Sequence, residues 1–256
     1  MGNELTTLFI GRNLILLAET ESTNRFLARL SADTNLPEGS VVVANHQTSG
    51  RGQAESKWVS EAGQNLLMSI LLKPDFLSAK KIFLLSKMVS LAVKDALTDF
   101  GIETKIKWPN DIYSRDQKIC GVLIENIMRG AQVQQSVIGI GLNVNQEIFP
   151  KEIPNPASMK SISGNTFSID ECMFSICNHL EKRYLQLKSG HTDDINKEYL
   201  NFLYRSHKMH EYESMGQKFT AEIINVEEEG RVVMRKEDGS VVRFGFKEVH
   251  QRITNL

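Results

Sequence analysis

Four short polar clusters contain the side chains of this sequence that could do chemistry. They are 22–24, 47–58, 107–111 together with Lys118, and 139–143. Their members are the amides Gln47, Asn110 and Asn143, the hydroxyls Ser22 and Thr23, the cations Arg51, Lys57, Lys107 and Lys118, and the carboxylate Asp111. Amides and hydroxyls suit a neutral polar ring, whereas the cations suit a polyphosphate. The set offers no covalent nucleophile paired with a base, so it favours transfer between bound substrates by positioning and electrostatic stabilisation.

Several common catalytic motifs are absent from the sequence. It has no G-x-x-x-x-G-K-[ST] phosphate loop, no G-x-S-x-G nucleophile turn and no H-E-x-x-H metal motif. Gly139-x-Gly141 is not a dinucleotide fingerprint, because Val144 occupies the place of the third glycine. A bound anion would therefore need a binding site of a different kind.

The longest polar cluster follows a β-branched run at 41–43 that is typical of a buried strand. It reads HQTSGRGQAESKW over 46–58 and is nearly devoid of apolar residues before Trp58. Gly50 and Gly52 would let backbone N–H groups approach an anion beside the fixed charge of Arg51. A flexible surface loop with glycine turns explains the same residues, so the pattern alone leaves both interpretations open.

The cluster at 22–24 also has two interpretations. Serine, threonine and asparagine are all good helix N-caps, and Phe26, Leu27 and Leu30 follow at helical spacing. The same hydroxyls at the start of a helix could face a ligand. The local pattern favours a cap.

The apolar patterns predict the elements that must position these clusters. Strands are expected at 14–18, 41–44, 65–72, 102–108, 112–125 (a hairpin) and 133–140, and helices after 22–24 and at 78–100, 169–188 and about 192–205. Beyond about 214 the pattern changes to short strands at 217–225, 230–236 and 240–246, with an end piece at 248–253 and a hairpin turn at Asp238-Gly239. We therefore expect a domain over 1–210 and a small β domain over 211–256.

Composition excludes several classes of protein. The 256 residues include 30 basic and 31 acidic side chains, so the net charge of −1 does not suggest a surface that coats nucleic acid. The three cysteines form no C-x-x-C pair, which indicates a reducing compartment without structural zinc. The amino terminus lacks the pattern of a signal peptide, and no apolar run reaches membrane-spanning length. The expectation is a soluble cytoplasmic protein with no membrane partner.

Taken in order, the motifs resemble those of the biotin–protein ligases. They are E-S-T-N at 21–24, H-Q-T-S-G-R-G-x(5)-W at 46–58, K-W-P-N-D at 107–111, K-I-C-G-V-L-I-E at 118–125 and G-I-G-L-N at 139–143. Each motif alone is weak, but the ordered set covers roughly 14–145 and the small C-terminal β domain also fits. The resemblance implies an α+β fold, with a mixed, largely antiparallel sheet flanked by helices (class II synthetase-like) and an SH3-like β-barrel at the end of the chain.

The resemblance also implies a two-step reaction. ATP would convert the biotin carboxylate to biotinyl-5′-AMP with release of pyrophosphate, and a lysine of a biotin carboxyl carrier domain would then attack the adenylate. Mg²⁺ is expected, because the charge of the pyrophosphate leaving group needs neutralisation. An exposed sheet edge could serve for self-association as a homodimer or for docking the carrier by strand addition.

Residue roles follow from the resemblance, position by position. By similarity, Lys118 would be a catalytic residue that bridges the biotin carboxylate and the α-phosphate. Arg51, a second catalytic residue, would close over the biotin chain and the adenylate with the backbone of Gly50 and Gly52. Asp111, the third, would lie near the acceptor lysine or the metal-bound phosphates. The biotin site would comprise Ser22, Thr23, Asn24, Gln47, Gly50, Arg51, Trp58, Lys118 and Gly121. The nucleotide site would comprise Arg51, Gln53, Trp58, Lys107, Trp108, Asn110, Lys118 and Asn143.

Two departures from the family pattern matter. Better-studied members often read G-R-G-R-R-G-R-K-W, whereas here Gln53, Ala54, Glu55 and Ser56 replace three arginines and a glycine. We therefore expect weaker retention of the adenylate, without loss of activity. The first strand begins by about residue 14, which leaves no room for a helix-turn-helix domain, so the expectation is a ligase without a DNA-binding role.

Two alternatives stay open at this point. A lipoate–protein ligase would use the same adenylate chemistry, although the polar set at 22–24 with Gln47 suits a ureido ring better than a dithiolane. A non-catalytic sensor of biotin or its adenylate would not need a cation such as Lys118 at the reacting centre.

Overall fold

The computed structural model describes residues 4–53 and 56–251. Its strands are β1 (Leu14–Thr20), β2 (Val41–Gln47), β3 (Asn65–Leu72), β4 (Lys105–Lys107), β5 (Asp111–Ser114), β6 (Gln117–Arg129), β7 (Gln132–Asn143), β8 (His210–Ser214), β9 (Gln217–Val226), β10 (Val232–Lys236), β11 (Val241–Phe244) and β12 (His250–Gln251). Its α-helices are α1 (Thr23–Asp33), α2 (Phe83–Asp99), α3 (Met159–Ser163), α4 (Ile169–Lys188) and α5 (Thr192–Phe202).

Within the described ranges, seven strands form one mixed sheet in the order β1-β2-β3-β7-β6-β5-β4. The pair β1–β2 is parallel and every other pair of this sheet is antiparallel. Strand β3 (NLLMSILL) is buried at every position because helices cover both faces of the sheet. Helix α1 covers one face through Leu27, whereas α2 and α4 pack on the other over the main core.

The second sheet is antiparallel, in the order β11-β10-β9-β8-β12 among the described residues. The predicted fold class, a mixed sheet flanked by helices with a small C-terminal β domain, is confirmed. The boundary between 210 and 211 stays a prediction. No helix in the described part of the chain is long and apolar enough to cross a bilayer.

The two sheets meet beside the K-W-P-N-D segment. The Trp108 indole Nε1–H donates to the Gly230 carbonyl at 2.9 Å, and its ring lies 5.5 Å from the Phe246 ring. Close by, the buried Lys87 of α2 donates to the Val226 carbonyl of β9 at 2.6 Å. The junction therefore combines apolar packing with two directed hydrogen bonds.

Some element boundaries differ from the sequence expectation. The helix predicted from residue 78 begins with a short 3-10 turn at Ala79–Lys81, and α2 starts at Phe83. The strands predicted to end at 125 and to begin at 133 are longer, because the β6–β7 ladder continues to the pair Arg129–Gln132 and only residues 130–131 form the turn. At its other end β7 extends past the predicted residue 140, so the cluster at 139–143 lies within it, because pairing with β3 continues to Asn143.

Candidate active site

A cavity of about 480 Å³ lies between the sheet and the loop that follows β2. Its floor is formed by neighbouring residues of the paired strands β5, β6, β7 and β3. Asp111 pairs with Gly121, and Gly121 with Gly141, while Gly139 is paired with Ser69 on β3. Gly139 and Gly141 point to the same side of β7, because alternate residues share a face. Because these glycines have no side chains, the wall residues Asn24 and Trp58 can pack directly against the strand.

At one end, α1 presents a set of neutral polar groups. Gln47 Oε1 accepts from the backbone N–H of Thr23 at 2.8 Å and from its hydroxyl at 3.1 Å. Ser22 occupies the N-cap position, but its buried side chain makes no capping hydrogen bond and lines the cavity instead. The cap interpretation is therefore wrong for the Ser22 hydroxyl.

Asn24 is held tightly against the floor. Its Nδ2 donates to Glu125 Oε2 at 2.9 Å, and the Ser69 hydroxyl lies 2.6 Å from its Oδ1 and 2.7 Å from Thr23 Oγ1. A hydroxyl carries one proton, so Ser69 donates to one of these oxygens at a time. A Cβ at Gly139 would lie 2.4 Å from Asn24 Oδ1, so only glycine accommodates this amide.

The loop after β2 folds back on itself over the cavity. The backbone N–H of Gly52 donates to the Ser56 carbonyl at 2.7 Å, and that of Trp58 donates to the Gly50 carbonyl at 3.0 Å. This fold places the Trp58 indole on the floor, where a Cβ at Gly141 would lie 2.5 Å from its ring. Arg51 Nη1 donates to Glu125 Oε1 at 2.9 Å. Ala54 and Glu55, which carry part of the predicted charge deficit, lie outside the described residues.

Two lysines supply positive charge to the opposite wall. Lys118 Nζ lies 2.6 Å from Asp111 Oδ1 and 5.7 Å from the centre of the Trp58 ring. Lys107 donates to the Tyr113 hydroxyl at 3.0 Å. Burial lowers the pKa of Lys107 below its usual value, and the Lys118 charge adds to this effect while Asp111 opposes it. Both lysines line the cavity, so they can neutralise an anion there.

Most of the predicted nucleotide-binding residues line the cavity, but Trp108 does not. Asn143 lines the cavity and donates to the Ala157 carbonyl at 2.9 Å, and Asn110 donates to the Val122 carbonyl at 2.6 Å. Gln53 also lines the cavity. Trp108 is not among the lining residues, because its indole turns to Gly230 at the junction of the two sheets. Gly50 does not line the cavity either, and its carbonyl accepts from the Trp58 backbone N–H. The structure therefore brings the other predicted site residues together without Trp108 and Gly50.

Two polar atoms on the cavity walls lack a partner in the described part of the chain. They are Trp58 Nε1 and Asn143 Oδ1, and both are buried. Native proteins leave few buried polar atoms unpaired, because each costs roughly 1–3 kcal/mol. A bound polar ligand is one way to satisfy such groups.

Sequence reasoning missed several residues of the site. Tyr113, Glu152 and the proline-containing segment around Ile153 line the cavity. Ser69 and Glu125 form the second layer behind Asn24. A serine within the otherwise apolar part of β3 and a glutamate at the end of the K-I-C-G-V-L-I-E motif were the signals that could have identified them.

Comparison with known proteins assigns the chain to a family. Residues 16–143, half of the chain, match the profile of the Biotin/lipoate A/B protein ligase family. A bifunctional ligase/repressor BirA of Bacillus spizizenii is 37% identical over 184 residues, 70% of this chain and 56% of that protein. A biotin–[acetyl-CoA-carboxylase] ligase of Mycobacterium tuberculosis is 30% identical over 187 residues, 70% of this chain and 66% of that protein. The chain thus spans about half the length of the first of these relatives.

Among solved structures, the chain resembles a biotin protein ligase from Aquifex aeolicus in complex with biotin and ATP. The TM-score is 0.78 at 27% sequence identity, and the match covers 94% of this chain and 99% of the other.

Proposed function

This chain belongs to the Biotin/lipoate A/B protein ligase family, and we propose that it is a cytoplasmic biotin–protein ligase. It would activate biotin with ATP as biotinyl-5′-AMP and transfer the biotinyl group to a lysine of a biotin carboxyl carrier domain. The observation that carries the proposal is the composition of one cavity. Neutral polar groups of α1 and Gln47 line it together with Lys107 and Lys118, as a ligand with a ureido ring and a reacting carboxylate requires.

The head-group end would bind the ureido ring through neutral hydrogen bonds. Ser22 and Thr23 supply hydroxyls that both donate and accept, and Gln47 supplies an amide. Gln47 Oε1 is already engaged by Thr23, which leaves its NH₂ group to donate to a carbonyl. Trp58 would cover the apolar body of the ligand, since its ring lies against Gly141.

In the first step, a biotin carboxylate oxygen would attack the α-phosphorus of ATP, and the bond to the pyrophosphate oxygen would break. Two anions must approach each other, so fixed cations at the crossing point lower the barrier. Lys118 is suited to this role, because the Asp111 carboxylate 2.6 Å away holds its ammonium group in place. Lys107 and Arg51 would add positive charge along the phosphates.

In the second step, the acceptor amine would attack the acyl carbon of the adenylate, and AMP would leave. The incoming lysine must lose a proton, and Asp111 is the carboxylate that lies beside Lys118 on the cavity wall. We assign Asp111 the role of orienting the amine and accepting its proton.

Mg²⁺ would bind chiefly through the phosphates. No group of three or more carboxylate, histidine or cysteine side chains within the described ranges could hold a metal ion alone. The carboxylates of Asp111 and Glu152 line the cavity and could supply one or two oxygens, which suits a cation that keeps most of its ligands from substrate and water. When bound, Mg²⁺ would neutralise the pyrophosphate leaving group.

The test is incubation with biotin, Mg-ATP and a carrier domain, followed by mass spectrometry for biotin addition. ATP–pyrophosphate exchange with biotin and with lipoate, assayed side by side, identifies the acid that is activated. Exchange with lipoate alone would overturn the assignment.

Lys118→Ala should lower biotin-dependent exchange about 10²–10³-fold. Lys182→Ala is the control, because this lysine is exposed on α4. Intact exchange in Lys118→Ala would contradict the mechanism.

A further inference from the structure

We call the neutral polar side of the cavity, formed by Ser22, Thr23, Asn24 and Gln47, the head-group wall. Glu125 lies where this wall meets the loop after β2. One carboxylate oxygen, Oε2, accepts from Asn24 Nδ2 at 2.9 Å, and the other, Oε1, accepts from Arg51 Nη1 at 2.9 Å. The Arg51 and Glu125 side chains are 39% and 36% exposed, so the pair stands at the edge of the site, open to solvent. Its two contacts join the buried Asn24 side chain to Arg51 of the loop that follows β2.

These contacts close a circuit of hydrogen bonds around the cavity wall. In order, its members are Gln47, Thr23, Ser69, Asn24, Glu125 and Arg51. The Thr23 backbone N–H donates to Gln47, so one proton on each hydroxyl is enough to link Thr23, Ser69 and Asn24. Gln47 is the last residue of β2, and Arg51 lies four positions later in the loop that follows. The loop is therefore anchored at both points to a single network that passes through the proposed ureido site.

The Asn24 end of this circuit is rigid. Asn24 is buried, and its carboxamide is confined by Gly139 beneath it and by the Ser69 hydroxyl at 2.6 Å. The position of Glu125 Oε2 is fixed in turn, which sets the direction in which Oε1 meets Arg51. A guanidinium has five N–H donors in a planar fork, so Arg51 can keep Glu125 on Nη1 and present other donors to a phosphate.

We propose that Glu125 is a positioning residue that holds Arg51 over the cavity and couples the head-group site to the loop. This inference rests on the proposed function for the identity of the ligands, biotin and ATP. A ligand that shifts Thr23 or Asn24 would, through Glu125, also shift the cation that faces the phosphates.

Glu125→Gln separates the two contacts. The glutamine Oε1 can still accept from Asn24, whereas the charge that holds Arg51 is lost. In biotin-dependent ATP–pyrophosphate exchange we expect about a tenfold lower rate, and a loss of about 10²–10³-fold for Arg51→Gln, which removes the donor itself. If Glu125 acts through Arg51, adding Glu125→Gln to Arg51→Gln should change the rate less than about twofold.

Limited proteolysis tests the anchoring without any enzymatic activity. Trypsin must draw an arginine side chain into its binding pocket, so it can cut after Arg51 only when the pair with Glu125 is open. In the ligand-free full chain, Glu125→Gln should speed cleavage at this bond about two- to fivefold, the range of an exposed ion pair. Glu222→Gln is the matched control, because it removes an ion pair with Arg235 in the second sheet.

The two measurements separate the two claims. Absence of biotin-dependent exchange in the wild type, together with faster cleavage of Glu125→Gln, would overturn the proposed function while supporting the anchor. Unchanged cleavage, or an undiminished tenfold effect of Glu125→Gln in the Arg51→Gln background, would overturn the role of Glu125.

Discussion

Substitution of Gly139 by alanine would place a methyl group 2.4 Å from Asn24 Oδ1, 2.9 Å from its Cγ and 3.1 Å from its Nδ2. The strand cannot yield, because β7 is paired on both sides, with β3 and with β6. The carboxamide must move instead, and it then loses its contacts with Ser69 and Glu125. Gly139→Ala thus acts on the head-group wall through one side chain.

The magnitude follows from opposing effects. Leaving a buried polar group without its partner costs about 1–3 kcal/mol, whereas an unstrained glycine-to-alanine change stabilises by about 0.4–1 kcal/mol through the unfolded chain. We expect Gly139→Ala to lower the free energy of unfolding by about 1–2 kcal/mol and to weaken biotin binding about tenfold. Urea unfolding and titration calorimetry with biotin measure the two quantities.

A control variant and a rescue experiment test whether the effect depends on Asn24. Gly245→Ala would meet nothing closer than the carboxylate of the exposed Glu248 at 3.3 Å, which can shift toward solvent, so its free energy of unfolding should stay near that of the wild type. In an Asn24→Ala background the obstructing amide is gone, and Gly139→Ala should be neutral or slightly stabilising. The same destabilisation with and without Asn24 would refute this account.

Three further predictions concern other parts of the chain. Gln53→Arg should slow the dissociation of biotinyl-5′-AMP, since it restores a cation to the loop. Equal dissociation rates from the wild type and the variant would contradict this expectation. Burial lowers the pKa of Lys87 from 10.5 to about 8. The unfolded chain therefore binds more protons between these values, and the wild type should gain up to about 3 kcal/mol over Lys87→Met in urea unfolding from pH 8 to 10.5; a constant difference would contradict the shift. Trp108→Phe removes the donor to Gly230 and should cost about 1–3 kcal/mol in urea unfolding, and wild-type stability would show that the bond contributes little.

The sequence predicted well those elements whose pattern is local. Strand β3 and helix α4 have the expected bounds, because one is a continuous apolar run and the other carries a helical period behind the N-cap of Ser168. The ordered motifs also located most of the cavity, since residues at strand ends and on a glycine-lined strand converge there.

What the sequence could not predict depends on contacts between distant segments. Glu125 meets Asn24 across 101 positions, and nothing near Glu125 indicates this partner. The direction of the Trp108 ring is equally hidden, because the three-residue strand β4 is too short to show which face is buried. Trp108 matched the family motif, yet its position at the junction follows from the second sheet, which is more than a hundred residues away.

That junction has a consequence for how the molecule unfolds. Removal of the chain after residue 210 would uncover the aromatic surface around Trp108 and Phe83 and leave the buried Lys87 ammonium without the Val226 carbonyl. Neither sheet is therefore expected to persist for long when the other melts. The predicted division at 210 would then be one of topology rather than of folding, and heat should disrupt both sheets in a single cooperative transition.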